Sequence, residues 1–155
     1  MFAVNYGRIG EAAKADAFFQ RGWVNNVLGG MQLWHEVAGG GGANNFITGA
    51  GGFLQSVFAL YGGLELVGGA LHVVAPRPPP NCTGLAVRSA RYLGAALDVT
   101  VNAGDAFFTV TLTAPAPGGS LVLAVPPERP AIPLPLNEGV KIPGSATAVI
   151  SLSNQ

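Results

Sequence analysis

Apolar residues recur at spacings of three and four between residues 7 and 28, and this periodicity predicts one amphipathic helix. Gly29 and Gly30 follow it and supply an expected C-terminal stop. The predicted apolar stripe contains Ile9, Ala12, Ala13, Ala17, Phe19, Trp23, Val24 and Val27. The charged residues Glu11, Lys14, Asp16 and Arg21 are expected on the other side of the helix.

Residues 33–55 hold the densest cluster of glycines, Gly39 to Gly42 and then Gly49, Gly51 and Gly52. Ordering a glycine costs roughly 0.5–1 kcal/mol relative to alanine, so such stretches persist where the backbone bends tightly or approaches a ligand. Residues 31–36 have mixed polarity and are predicted to run extended into the glycine loop. A second helix is expected over residues 53–61, capped by Asn44, Asn45 or Thr48, and its apolar character all round is typical of a helix packed on several sides.

Beyond Gly63 the periodicity changes to two, which is typical of half-buried strands. Residues 64–67 and 71–74 form a predicted hairpin around Gly68-Gly69, and a proline-rich link follows over residues 76–80. Residues 126–135 are rich enough in proline to be an irregular connection or a sheet edge. Further strands are predicted at 85–89, 90–93, 95–101, 106–113, 120–125 and 147–152. This succession, with a turn at 102–105, indicates an antiparallel sandwich or jelly roll.

Helices that precede strands without interleaving indicate an α+β chain of two segregated parts. We place the boundary near Gly63, giving parts of residues 1–63 and 64–155. Two helices and a loop cannot close a core alone, so residues 1–63 are expected to be the end of a larger helical domain.

Composition narrows the range of partners. The chain has 155 residues, of which 49% are hydrophobic and only 10% charged, with a formal net charge of +0. Nucleic acids and anionic membrane surfaces are therefore not expected as partners, because both need clustered Lys and Arg. The apolar surface is expected to meet another chain or a missing part of this one. A lone Cys82, with His35 and His72 outside any ligand spacing, predicts neither a metal site nor a cofactor.

Glu36 is the strongest candidate for chemistry. A carboxylate beside Trp34 in a weakly charged region could orient a water or accept a proton, although a solvated loop glutamate has the same pattern. Trp34 could provide a stacking platform for a sugar or simply belong to the core. The sequence lacks a GxxxxGK[ST] phosphate loop and a GxSxG nucleophile motif. Asp98 and Asp105 are expected on an exposed strand face and in a turn.

Three segments together resemble a known family: Leu33-Trp34-His35-Glu36, then ANNFITGAGGFLQ at residues 43–55, then Tyr61-Gly62-Gly63-Leu64. This pattern is similar to the end of the catalytic domain in glycoside hydrolase family 65, in its acid-trehalase-like branch. The resemblance implies terminal helices of an (α/α)6 barrel in residues 1–63, followed by a small antiparallel β-sandwich in residues 64–155.

The resemblance also implies roles for two residues. In the hydrolytic members the glutamate of the tryptophan-x-glutamate motif is the general base, and Glu36 holds that position, with Trp34 as a substrate-binding residue. Phosphorolytic members bind phosphate here through serine, histidine and lysine, a combination absent from this stretch, so hydrolysis of an α-glucoside or disaccharide is implied.

An inverting hydrolase also needs a second carboxylic acid about 6.5–9.5 Å from the first. The resemblance places that acid earlier in the barrel, and the remaining glutamates do not replace it: Glu11, Glu65, Glu128 and Glu138. The chain alone is therefore expected to be inactive and to need the missing N-terminal barrel portion or a complementing chain.

Two other interpretations remain open from the residues. The chain could be a non-catalytic β-sandwich module for protein interaction or carbohydrate binding, carrying a helical adaptor. It could also form a homo-oligomer that buries the exposed helices, which its mass in solution would reveal.

Overall fold

The structure, a computed structural model, describes residues 2–30, 33–127 and 129–153. Two positions of the predicted extended segment, Met31 and Gln32, lie outside the described residues, as does Glu128. Residue contacts divide the chain into two compact units, the N-terminal unit Met1–Leu60 and the C-terminal unit Tyr61–Gln155. The division lies close to the boundary expected near Gly63.

The N-terminal unit begins with two helices, α1 (Phe2–Arg8) and α2 (Ala12–Arg21), so the prediction of a single helix over residues 7–28 is wrong. Gly10 separates them with φ +80, a left-handed conformation that interrupts a right-handed helix. Glu11, expected within the helix, precedes α2 and forms an ion pair with Lys14 at 3.3 Å. Five members of the predicted stripe are exposed, and the first and last of them lie outside both helices: Ile9, Ala12, Ala13, Ala17 and Val24.

An antiparallel three-stranded sheet follows in the order β1 (Val27–Leu28), β2 (Leu33–Val37) and β3 (Gly41–Asn44). The extended conformation predicted for residues 31–36 is confirmed for its described part. Gly29 and Gly30 lie in the turn between β1 and β2 and do not end a helix, so that prediction is wrong.

The next helix, α3 (Ile47–Ser56), begins six residues before the predicted start at Phe53 and continues into a π-helical turn at Val57–Tyr61. The second glycine cluster therefore lies inside a helix. Phe46 occupies the N-cap position without a side-chain hydrogen bond, so the predicted polar caps are wrong. Leu54 and Phe58 are 53% and 44% exposed, so the expected packing on several sides is not found within this unit.

The described residues of the C-terminal unit form two antiparallel sheets. The first has five strands in the order β10-β9-β12-β5-β4, and the second has four in the order β11-β8-β7-β6. Their bounds are β4 Leu64–Val67, β5 Ala70–Val74, β6 Gly84–Tyr92, β7 Ala95–Asn102, β8 Phe107–Ala114, β9 Leu121–Val125, β10 Arg129–Pro133, β11 Gly139–Pro143 and β12 Thr147–Leu152. The hairpin at Gly68-Gly69 and the strands near 95–101, 106–113, 120–125 and 147–152 are confirmed.

One hydrophobic cluster joins both sheets and includes the fully buried side chains of Val73, Leu97, Phe108, Leu121 and Ile150. This shared core is the arrangement of a β-sandwich. The proline-rich strand β10 lies at a sheet edge, as expected for a segment with few free amides. Strand β11 was not predicted.

The strands predicted at 85–89 and 90–93 form one continuous strand, β6, because a bulge between Val87 and Ala90 absorbs the irregular residues. Ser89 adopts φ 53 in this bulge, and its amide donates to Oδ1 of Asp98 at 2.8 Å. The prediction that Asp98 lies on an exposed strand face is therefore wrong, since its side chain is only 19% exposed. Asp105 accepts a hydrogen bond from Nδ2 of Asn102 at 2.8 Å, which confirms its turn role.

The observed class is mixed, with three α-helices among the described residues and mostly antiparallel sheets. None of the helices in the described ranges is long and apolar enough to cross a bilayer. The assignment of residues 1–63 to the end of an (α/α)6 barrel stays a prediction.

Candidate active site

Strand β2 carries Trp34, His35 and Glu36 at its centre, and Asn26 holds it in place. The backbone oxygen of Asn26 accepts from the amide of His35 at 2.8 Å. Its Nδ2 donates to the carbonyl oxygens of His35 at 3.0 Å and of Glu36 at 3.3 Å. Sequence reasoning missed Asn26, because these bonds depend on a strand pairing that local pattern does not specify.

Glu36 is exposed and lies across from an irregularity in β3. His35 pairs with Asn44 and Val37 pairs with Gly41, so Glu36 alone faces two residues, Gly42 and Ala43. Oε2 of Glu36 accepts a hydrogen bond from the Ala43 amide at 3.1 Å. Among the described residues this is the one hydrogen bond of the carboxylate, so Oε1 is left for other partners.

Trp34 is half-buried and belongs to an aromatic cluster centred on Phe53 of α3. Its ring lies 5.5 Å from that of Phe53, which also contacts Phe19 at 5.2 Å and Trp23 at 6.3 Å between ring centroids. A Cβ atom at Gly49 would lie 2.5 Å from Nε1 of Trp34, so the indole ring packs directly on the glycine backbone of α3. Gly49 thus permits close helix–ring packing, whereas a Cβ atom at Gly51 or Gly52 would meet nothing within 4 Å.

An open cleft of about 390 Å³ lies beside this cluster. Its walls include Phe18, Arg21, Trp34, Phe53 and Ser56, whereas Glu36 is not among the lining residues. Aromatic faces with few polar groups are typical of small-molecule sites. The structure therefore places one predicted site residue, Trp34, in the cleft and the other, Glu36, at the neighbouring hairpin.

Two buried polar atoms in this unit, Nε1 of Trp23 and Nδ1 of His35, have no hydrogen-bond partner among the described residues. Buried polar groups are normally satisfied, so each marks a position where a further group is expected. In the sequence analysis, His35 was weighed only as a metal ligand. In the described part of the chain no three His, Cys, Asp or Glu side chains lie close enough to hold a metal ion.

No family model matches the chain, and no solved structure gives a significant match. Curated relatives do match over most of its length. The protein-glucosylgalactosylhydroxylysine glucosidase of Danio rerio is 34% identical over 142 residues, which is 86% of this chain and 21% of the relative.

Two further relatives carry the same name. The protein of Gallus gallus is 31% identical over 92% of this chain and 19% of its own length, and that of Dictyostelium discoideum is 41% identical over 45% of this chain. The chain thus spans about a fifth of the first relatives it matches. These matches confirm the resemblance drawn from the tryptophan-x-glutamate and glycine motifs. We conclude that the chain is homologous to the C-terminal part of proteins named protein-glucosylgalactosylhydroxylysine glucosidase.

Proposed function

We propose that this chain supplies one half of the active site of an inverting glycoside hydrolase that cleaves an α-glucosidic bond, with Glu36 as the general base. The observation that supports it is the geometry of Glu36. One carboxylate oxygen is held by the Ala43 amide at 3.1 Å, and the other has no hydrogen-bond partner among the described residues. A fixed carboxylate with one available oxygen is suited to binding a water and accepting its proton.

In this proposal Glu36 removes a proton from water while the water oxygen attacks the anomeric carbon. The bond from that carbon to the leaving-group oxygen breaks, and a carboxylic acid on the opposite side of the sugar protonates that oxygen. Within the N-terminal unit the other carboxylates are Glu11, which is paired with Lys14, and Asp16 on α2. We assign the acid to the region of the relatives that this chain does not span, where the resemblance to the family places it.

The substrate is proposed from the cleft and from the names of the relatives. Trp34 and Phe53 offer aromatic faces on which the apolar face of a pyranose can stack. The relatives are named for a glucosylgalactosylhydroxylysine, so we propose an α-glucoside of that kind, a glucosyl unit at the end of a glycan or disaccharide.

The test replaces the homologous C-terminal segment of the Danio rerio glucosidase with this chain and measures glucose release from glucosylgalactosylhydroxylysine. We expect Glu36→Gln to lower kcat by about 10²–10⁴-fold, the contribution of a general base. Glu138→Gln makes the same chemical change at an exposed position before β11 and should leave kcat unchanged. Retained turnover in Glu36→Gln would refute the role of Glu36, and turnover by the 155-residue chain alone would refute the half-site proposal.

The competing function is a non-catalytic carbohydrate-binding or interaction module in the C-terminal unit. Sugar-binding surfaces usually present aromatic platforms, and this unit has four aromatic residues. Tyr61, Tyr92 and Phe108 are buried, which leaves Phe107, 49% exposed. The composition of this surface therefore favours the catalytic proposal. Glycan binding that survives Glu36→Gln and is lost in Phe107→Ala would reverse that preference.

A further inference from the structure

The glycine bulge in β3 holds the carboxylate that the proposed mechanism uses. We propose that Gly42 and Ala43 are positioning residues for Glu36: the Ala43 amide fixes one carboxylate oxygen, and the absence of a side chain at Gly42 gives that carboxylate its place. This inference rests on the proposed function of Glu36 as a base.

The register of the hairpin brings the Ala43 amide to Glu36. Between the pairs His35–Asn44 and Val37–Gly41, β2 contributes one residue and β3 contributes two. Two residues opposite one define a β-bulge, which leaves a backbone group outside the ladder and re-aims neighbouring side chains. Here the Ala43 amide donates to Oε2 of Glu36 at 3.1 Å, so the bulge supplies the group that orients the carboxylate.

The position of Gly42 has no room for a side chain. Its φ of +73 is a left-handed conformation that side chains rarely adopt. A Cβ atom there would lie 2.8 Å from Cβ of Glu36 and 2.9 Å from its Oε2. The first of these atoms lies at the base of the side chain, so relief of the contact would move the strand or the whole Glu36 side chain. Either movement separates Oε2 from the Ala43 amide.

This arrangement fixes one oxygen of the Glu36 carboxylate and leaves the other available. A backbone amide has a fixed direction, so it holds Oε2 of Glu36 in one place while Oε1 is left available to bind a water. Proton transfer and in-line attack need the base held within tenths of an ångström, and displacement by about 1 Å can cost 10²-fold in rate. A peptide-anchored carboxylate meets that need without a second side chain.

Substitutions at two glycines, Gly39 and Gly42, distinguish the effect of a steric contact with Glu36 from the effect of backbone strain. Gly39 has a similar φ of +83, but a Cβ atom there would meet nothing within 4 Å. Gly39→Ala and Gly42→Ala therefore impose the same kind of backbone strain, and only the second disturbs Glu36. Glu36→Asp is a third variant that leaves the hairpin backbone intact and shortens the side chain, so its carboxylate no longer reaches the Ala43 amide.

The first measurement uses the 155-residue chain and needs no activity. In two-dimensional ¹⁵N–¹H NMR, we expect the Ala43 amide, which donates to Oε2 of Glu36, to exchange its hydrogen with solvent faster in Gly42→Ala and Glu36→Asp than in the wild type. Gly39→Ala should keep the wild-type exchange rate. An Ala43 amide that exchanges as fast in the wild type as in Gly42→Ala would overturn the inference.

The second measurement is steady-state kinetics in the chimaeric hydrolase described above. Gly42→Ala and Glu36→Asp should each lower kcat by about 10-fold or more with KM within about twofold, while Gly39→Ala keeps both values. Equal kcat in Gly42→Ala and Gly39→Ala, when Glu36→Gln is inactive, would refute the positioning role alone. Full activity of Glu36→Gln would instead refute the proposed function.

Discussion

The two units of the chain bury their apolar side chains to very different extents. In the C-terminal unit one cluster joins both sheets, and Val73, Leu97 and Phe108 are completely buried. In the N-terminal unit Phe2, Ile9 and Ile47 are 70%, 71% and 80% exposed. The buried residues described there are few and mostly small: Ala3, Val4, Ala15, Phe19, Ser56 and Leu60.

The well-packed core and the proposed chemistry lie in different units of the chain. Small domains bury a lower fraction of their surface and depend on every large side chain in the core. The C-terminal unit has such a core, whereas the N-terminal unit, which holds Trp34 and Glu36, leaves large apolar side chains in solvent. Exposed apolar patches mark interaction surfaces. The contrast supports the proposal that further polypeptide completes the half-site.

The largest loss of stability is expected from a substitution in the core of the sandwich. Phe108 on β8 is 0% exposed, and we expect Phe108→Ala to lower the free energy of unfolding of the C-terminal unit by about 3–5 kcal/mol, because the ring leaves a cavity. Denaturant titration followed by far-ultraviolet circular dichroism measures this loss, since the unit consists largely of strands. The adjacent Phe107→Ala, at a position 49% exposed, should cost far less. Equal losses would contradict the sandwich core.

A smaller effect is expected at the aromatic centre of the N-terminal unit. Phe53 contacts Phe19, Trp23 and Trp34, and we expect Phe53→Ala to lower the stability of this unit by about 2 kcal/mol, less than for a fully buried ring. Tryptophan emission reports it selectively, because both tryptophans of the chain lie in this unit. Phe58→Ala, at a position 44% exposed, is the control. An emission midpoint unchanged by Phe53→Ala would remove Phe53 from the centre of the packing.

The strands of the C-terminal unit were largely predictable because their signals are local. Alternating side chains and turn residues identified β7, β8, β9 and β12 close to their observed bounds. Strand β11 was missed because its alternation is short: only Val140, Lys141 and Ile142 alternate, and the flanking residues Gly139 and Pro143 are typical of turns. Strand β6 was divided in two because continuity through its bulge depends on pairing with β7, a non-local contact.

The N-terminal unit was predicted less well because local residue preferences, such as those of glycine, compete there with packing and strand pairing. The glycines of α3 were interpreted as a loop, but the helix forms despite a cost of about 1 kcal/mol per glycine, and Gly49 packs directly on Trp34. Glu36 and Trp34 were proposed from their sequence context and from the motif that carries the family resemblance, and their roles stay a prediction. The bulge and Asn26 were not identifiable, because their roles are backbone hydrogen bonds across strands.

The smallest expected effect tests whether the hairpin of the candidate site is held by single hydrogen bonds. Asn26→Ala removes the Nδ2 donor to the carbonyls of His35 and Glu36 but keeps the backbone bond to His35, so we expect a loss of about 1 kcal/mol. The matched change in the other unit is Tyr92→Phe, which removes the hydroxyl that donates to the Gly69 carbonyl at 2.6 Å. Asn26→Ala should lower the midpoint of the tryptophan-emission transition, and Tyr92→Phe should lower only the circular-dichroism transition. If Tyr92→Phe moved both midpoints equally, the two units would unfold as one, and the contrast between their cores would not describe how the chain is stabilised.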